Sequence, residues 1–291
     1  EDRLLGFVVH LGVVMGRAYS TVAGKVFAIR SVHLSRGYPD PLLGMPRVFY
    51  ALTGLKRRGR GPNRKWPITV RLLTTFKTLC DARGLDGIAY WALATTLWFF
   101  LLRVGEALEN PRPSASNRPL RGQDVSPLNQ HGRCRTFLDA TYMAISLRQG
   151  SKTDKFNAGC YRVQSSTYNE ICHVQAMAAL QAAFPERWTH EASLPLFRDS
   201  RCIPLTRATL MLMVKEAARL NGDGEAAGRL ATHSFRIGGA TALYHTTHNL
   251  HYVQRFGRWS TDCFHGYLWE SVEKQKGVAQ KMVTATDQVI T

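Results

Sequence analysis

The chain has 291 residues, 45% of them hydrophobic and 20% charged, which leaves room for two domains, or one large one, with a substantial core and argues against a disordered chain. Its 38 Lys and Arg against 21 Asp and Glu give a net charge of +17, an excess that points to a polyanionic partner, nucleic acid first, with a merely soluble basic protein or one meeting anionic lipid as the alternatives. The six cysteines make no C-x-x-C pair, so a disulfide framework is set aside in favour of reduced thiols in a cytosolic or nuclear compartment.

No secretory signal is evident at the start, and the opening residue is Glu1 rather than Met, as expected of a fragment or a processed chain. Residues 1–53 read as short helices. "LLGFVVHLGVVM" is apolar on most faces, and "STVAGKVFAIRSVHLSRG" opens on a Ser/Thr cap and closes on Gly37. "YPDPLLGMP" is a turn-rich break. Residues 54–67, "GLKRRGRGPNRKWP", hold Lys56, Arg57, Arg58, Arg60, Arg64 and Lys65 without one acid. Gly, Pro and like-charge repulsion predict an extended basic linker there, either a solvated hinge or a strap along phosphates.

A larger region, 68–291, follows. "ITVRLLTTFKTLCDARG" and "DGIAYWALATTLWFFLLRVGEALE" have helical periodicity, with Asp86 as a cap for the second. The apolar run at 88–102 is fifteen residues, too short to span a bilayer, and reads as a buried helix. "NPRPSASNRPLRGQDVSP" reads as loop. Residues 136–166 alternate apolar and polar around a Gly-Ser-Lys turn, which predicts a small antiparallel sheet. From Glu170 onward helices return, and the fold class is mainly α with that small sheet.

Four places carry chemistry. An apolar helix delivers Arg103 and, three residues on, Glu106; a shared helix face would let the carboxylate hold the guanidinium, as would an ordinary structural pair at a helix end. Lys152 sits at a tight turn with Lys155 close behind, where a solvated lysine is the plain reading. "HSFRIGGATAL" sets His233 and Arg236 about one turn apart, before Gly238 and Gly239 that allow a close neighbour. A structural His-Arg pair would do this, but ionisable groups at the mouth of a small-residue helix suit an anion better than a core. "RFGRWSTDCFHGYL" adds Trp259 and Tyr267, which core packing would also explain.

Taken in order, an Arg, a hairpin Lys, H-x-x-R, G-x-W and a late Tyr resemble the tyrosine recombinase (phage-integrase) family, and "HSFRIGGATA" with "GRWSTDCFHGYL" resembles most the DIRS-like and Crypton mobile-element recombinases. The resemblance implies a two-domain DNA clamp, with a helical core-binding domain at 1–53, the basic linker at 54–67, and a catalytic domain with a C-terminal tail at 68–291. It implies a partner in double-stranded DNA, a homo-oligomer (dimer or tetramer) on that DNA, no membrane, and a nuclear location for a eukaryotic mobile element. Position by position, Tyr267 would be the nucleophile, Arg103 and Arg236 the grip on non-bridging oxygens, and His233 the proton acceptor. Trp259 would donate from its indole and pack Tyr267, Lys152 would protonate the leaving 5′-oxygen with Lys155 as second choice, and Glu106 would support Arg103. No metal and no other cofactor is expected, since guanidinium groups neutralise the phosphate. The Trp259 to Tyr267 interval is one residue shorter than the family's commonest spacing, about 100° of helix to be absorbed between them. A type IB topoisomerase or telomere resolvase shares this chemistry, and a catalytically silent DNA-binding derivative of a mobile element is the competing reading of another class.

Overall fold

The computed structural model describes residues 1–59, 64–109, 119–147 and 159–269. It falls into two compact units, Glu1–Asn63 and Arg64–Thr291. Described residues form mainly helix with one four-stranded antiparallel sheet. None of these helices is long and apolar enough to cross a membrane.

The first unit holds α1 (Asp2–Val9), continued by a π-turn at His10–Val14, then α2 (Tyr19–Ser35) and α3 (Pro46–Arg58). Its core is small, with Val8, Leu11, Val22, Val26, Leu42, Val48 and Leu52 at the centre. Two local expectations change. The N-cap of α2 is Ala18 with no side-chain cap, so Ser20 and Thr21 lie inside the first turn. The basic stretch is not extended from residue 54: α3 continues through Lys56, Arg57 and Arg58, starting from Pro46 at N1 and ending at Gly59. Cations in a last turn face the negative end of the helix dipole, which offsets their mutual repulsion.

The second unit is organised around α5. Helix α4 (Val70–Asp81) starts at a Thr69 cap whose hydroxyl accepts from Leu72 N. Next, α5 (Gly84–Phe99) buries eleven of its sixteen residues, from Gly87 to Trp98. A helix apolar on every side must be wrapped by others, and each fully buried Leu or Phe contributes about 1.5–3 kcal/mol. Asp86 lies in the first turn rather than at the cap, and its carboxylate accepts from Ser200 N instead.

The helix expected to run to residue 109 stops at Phe99. Leu101 takes a left-handed conformation (φ 50°), and the short α6 (Val104–Ala107) starts afresh with Arg103 as its N-cap. The sheet has the order β2-β1-β3-β4, with β1 (Val125–Asn129), β2 (Gly132–Arg133), β3 (Tyr142–Leu147) and β4 (Cys160–Ser165). The β3–β4 pair, registered from Tyr142 opposite Ser165 to Leu147 opposite Cys160, is the one its alternation predicts. Strand β1 begins inside a segment read as loop, because Pro127 argues against a strand; Pro127 lies opposite Met143 of β3.

Then come α7 (His173–Ala183), α8 (Arg207–Leu220), α9 (Gly224–Arg229), α10 (His233–Thr247) and α11 (Leu250–Gly257), and the described chain closes on a 3-10 segment, Asp262–Tyr267. Helix α10 lies directly on the C-terminal end of α5. A Cβ on Gly239 would come within 2.0 Å of the Trp98 carbonyl oxygen, and one on Gly238 within 2.1 Å of the Ile68 carbonyl. That contact sets the height of Arg236, two residues before Gly238, and of His233 at the start of the same helix.

Candidate active site

Each candidate side chain is placed by a distinct local device. Arg103 follows the reversal at Leu101, and its position is fixed by two bonds to one carboxylate: its backbone N–H donates to Glu106 Oε2 at 2.7 Å, and its Nη1 to Oε1 at 3.1 Å. The pairing expected from the i, i+3 spacing is therefore present, made at a helix start rather than along a helix face. His233 opens α10 and Arg236 lies one turn in, wholly buried. Trp259, also buried, follows a left-handed residue, Arg258 (φ 61°), that ends α11.

These elements converge. The Tyr267 hydroxyl lies 2.6 Å from His233 Nε2. The Trp259 ring centroid is 5.0 Å from that of Tyr267, and the Arg236 guanidinium carbon sits 4.3 Å from the centroid of Trp259 and 5.9 Å from that of Tyr267. Arg236 also donates through Nη2 to the Gly257 carbonyl. The 3-10 turn at Asp262–Tyr267 absorbs the short Trp–Tyr interval, delivering the phenol to His233 without a full helical turn. Tyr267 is partly exposed and His233 is exposed, so the pair is open to a ligand.

Beneath the site, Leu101, Ala240, Val253, Phe256, Trp259 and Phe264 form a buried apolar cluster of their own. The Gly257 α-carbon leaves no room beside it: a Cβ there would fall 1.6 Å from Trp259 Cζ3.

The electrostatics suit proton transfer next to an anion. Although His233 as a residue is exposed, partial desolvation by the side chains around it, then the charges of Arg236 and Arg103, push it below its ordinary pKa, with Glu106 opposing, so the neutral imidazole that can accept a proton is favoured at neutral pH. Burial raises the Glu106 carboxyl, but the Arg258 charge and hydrogen bond together with the Arg103 N–H outweigh it, and the group stays below its usual range as a carboxylate. Burial and the neighbouring Arg103 and Arg258 charges lower Arg236, which remains a cation because guanidinium starts so high. Among the described residues no group of three or more His, Cys, Asp or Glu is arranged to hold a metal ion.

The structure thus brings together Arg103, Glu106, His233, Arg236, Trp259 and Tyr267. Lys152, Lys155 and Arg60 lie outside the described residues, as does the tail after Trp269. Lys56, Arg57 and Arg58 are exposed on α3, with the Lys56 ammonium 5.8 Å from the Tyr19 ring centroid.

Arg64 departs from the expected strap. Its guanidinium is turned onto the chain carrying Tyr267, donating from Nε to the Gly266 carbonyl at 3.0 Å and from Nη2 to the Leu268 carbonyl, while it stacks 4.6 Å over the Trp269 ring. The entry segment continues alongside: Trp66 meets Trp269 edge-on, Trp66 N–H donates to the Arg229 carbonyl, and Ile68 N–H donates to the Ser234 carbonyl. Thr241 adds a bond from its hydroxyl to the Tyr267 carbonyl at 3.0 Å. Sequence reasoning missed this role for Arg64 and missed Arg258 altogether. Arg258 Nη2 donates to Glu106 Oε2 at 2.8 Å across 152 residues, a pairing with no local signature.

No protein-family model and no curated protein sequence matches the chain. Among solved structures, the Tn1549 transposon integrase in complex with transposon right end DNA matches with TM-score 0.58 and 13% identity over 97% of this chain and 85% of that one. The same integrase with circular intermediate DNA gives 0.54 and 14%, over 95% and 83%. The XerH site-specific recombinase bound to palindromic difH substrate, a post-cleavage complex, gives 0.50 and 18% over 77% of this chain; this chain spans about half the length of that protein, 54%. At these identities the likeness establishes a shared fold, that of tyrosine recombinases and integrases.

Proposed function

We propose that the chain is a DNA strand-transfer enzyme that cuts and rejoins DNA through a tyrosine, with the tyrosine recombinase reaction of its structural neighbours as the closest chemistry. The observation that carries the reading is the Tyr267 hydroxyl 2.6 Å from a neutral His233, beside the Arg236 guanidinium and on a fold shared with DNA-bound integrases. His233 Nε2 takes the phenolic proton as the Tyr267 oxygen attacks a DNA phosphorus. The P–O bond to the 5′-oxygen breaks, leaving a 3′-phosphotyrosine and a free 5′-hydroxyl. Lys152, in the sequence joining β3 to β4, supplies the proton to that departing oxygen, with Lys155 as the second choice. Arg103 and Arg236 neutralise the charge that grows on the non-bridging oxygens, Glu106 orients Arg103, and Trp259 holds the Tyr267 ring from below.

The phosphotyrosine bond keeps the energy of the phosphodiester, so an incoming 5′-hydroxyl reverses the step, and a crossover follows when several subunits act on two duplexes. The assembly on DNA is a dimer or tetramer. Lys56, Arg57, Arg58, Arg60 and Lys65 meet backbone phosphates and supply salt-dependent affinity. The resemblance of the "HSFRIGGATA" and "GRWSTDCFHGYL" blocks to DIRS-like and Crypton recombinases supports a natural substrate among mobile elements of that kind, with the nucleus as the workplace.

A pool of nicked duplexes with randomised centres, in which the 5′-hydroxyl fragment diffuses away after cleavage, tests the reaction. The expected result is a covalent protein–DNA adduct, resistant to denaturant and lost in Tyr267→Phe. An adduct that persists in Tyr267→Phe, or none from any duplex, overturns the reading. Relaxation of supercoiled plasmid by the monomer would assign the same chemistry to a topoisomerase instead.

A further inference from the structure

Arg258 is an unusual residue for its position. It is the left-handed end of α11 (φ 61°), a conformation that an L side chain adopts at a cost, and its side chain is only 9% exposed. Burying a guanidinium requires partners for its donors, yet among the described residues Arg258 makes one side-chain bond, from Nη2 to Glu106 Oε2. Its Nε and Nη1 are buried without an acceptor, and so are Nε and Nη1 of Arg236, whose third nitrogen is bonded to the carbonyl of Gly257, the residue next to Arg258. Four donor nitrogens in two adjoining buried guanidinium groups thus await acceptors.

We propose that Arg258 is a third phosphate-binding guanidinium of this site, held in place by Glu106. The proposal rests on the strand-transfer reading and deepens it. Arg103, Arg236 and Arg258 face a single carboxylate, Glu106, which bridges the first and last of them with its two oxygens. Three guanidinium groups against one carboxylate leave the cluster cationic, and the donors of Arg236 and Arg258 that lack partners can bond the non-bridging oxygens of a phosphodiester. As the Tyr267 oxygen closes on phosphorus the phenolic proton moves to His233, the total charge of the site is unchanged, and the bonds from the guanidinium groups strengthen because negative charge gathers on the oxygens they touch. Glu106 on this account has two tasks, orienting Arg103 through Oε1 and Arg258 through Oε2. The structural alternative, an Arg258–Glu106 pair that only fastens α11 to α6, leaves the unpaired nitrogens and the excess charge without a purpose.

The test uses the full chain and inorganic phosphate, with binding measured by calorimetry and folding checked by thermal unfolding. Arg258→Ala should weaken phosphate binding by about tenfold or more, the scale of a charge-assisted hydrogen bond, while Tyr267→Phe leaves it unchanged. Where the alanine variant does not fold, Arg258→Lys preserves the pair with Glu106 and carries the same comparison, since losing the planar fork should still weaken binding by about threefold or more. Equal phosphate affinity in a folded variant, or no phosphate binding by the parent protein, overturns the proposal. The second arm repeats the nicked-duplex trap with a neutral methylphosphonate at the scissile position. That substrate should recover adduct formation by Arg258→Ala relative to the ordinary diester, and a variant equally slow on both would make Arg258 structural. If phosphate binding depends on Arg258 while the parent protein forms no adduct with any DNA, the anion site stands and the strand-transfer reading falls.

Discussion

Replacing Arg64 by alanine separates two roles that an arginine in a basic stretch can play. As a phosphate contact it would add to DNA affinity and to its salt dependence; as a clasp on the tyrosine segment it would act on the cleavage step. The structure favours the clasp, with donors on the Gly266 and Leu268 carbonyls and a guanidinium stacked on Trp269. The third contact, to the His265 carbonyl at 3.5 Å, is at the limit of a hydrogen bond and adds little. Because Arg64 is exposed, two charged hydrogen bonds and one cation–π contact together amount to about 2 kcal/mol after screening. That is roughly a 30-fold shift towards the undocked segment. The His233–Tyr267, Thr241–Tyr267 and His245–Trp269 bonds still favour docking, so single-turnover cleavage by Arg64→Ala at saturating DNA should fall about 5- to 30-fold. The slope of log affinity against log salt should stay as it was, whereas Lys65→Ala should reduce it by about 0.9 with cleavage at saturation unchanged. If Arg64→Ala instead loses that unit of slope and cleaves at the parental rate, the clasp is refuted and the strap is right.

Three further outcomes follow from the same geometry. Gly257→Ala forces the Trp259 ring out from under Arg236 and Tyr267, so cleavage should drop on the order of 100-fold, with a change in indole fluorescence; parental cleavage would contradict the packing. His233 accepts a proton only when neutral and its pKa is depressed, so the acid limb of the single-turnover rate should lie below the ordinary histidine value of about 6.5, the rate falling as pH drops through it. The unfolded chain binds that proton more readily, so stability should also rise with pH across the same window; a limb above the ordinary value would count against His233 as the base. Gly239→Ala sets a methyl against the Trp98 carbonyl and should cost about 2 kcal/mol, or roughly 4–8 °C in Tm by differential scanning calorimetry.

Periodicity made the helices and the β3–β4 pair readable, because burial on one face or on alternate faces leaves its mark within a short window. What escaped was decided over distance or by conformation. The break at Leu101 follows from a left-handed backbone with a leucine in it, which no propensity announces. The continuation of α3 through Arg58 shows that a run of cations at a helix end is tolerated by the dipole, where repulsion alone suggested an extended chain. The order of Arg103, His233, Arg236, Trp259 and Tyr267 was legible as chemistry because each residue type fits a step at a phosphate. The partners of Arg64 and Arg258 were not, since the former binds carbonyl groups, which every residue has, and the latter a carboxylate 152 residues away.

The satellite core under Trp259 has a bearing on how this protein would fail. Six side chains bridge Leu101 and the C-terminal helices, apart from the larger apolar mass around α5, so loosening them needs no melting of the central helix. On mild warming the phenol and its imidazole would drift apart while ellipticity stayed nearly constant, and amide exchange would quicken first between residues 250 and 268. The geometry of the candidate site and bulk thermostability are therefore separable quantities in this molecule, and selection could erode one while preserving the other.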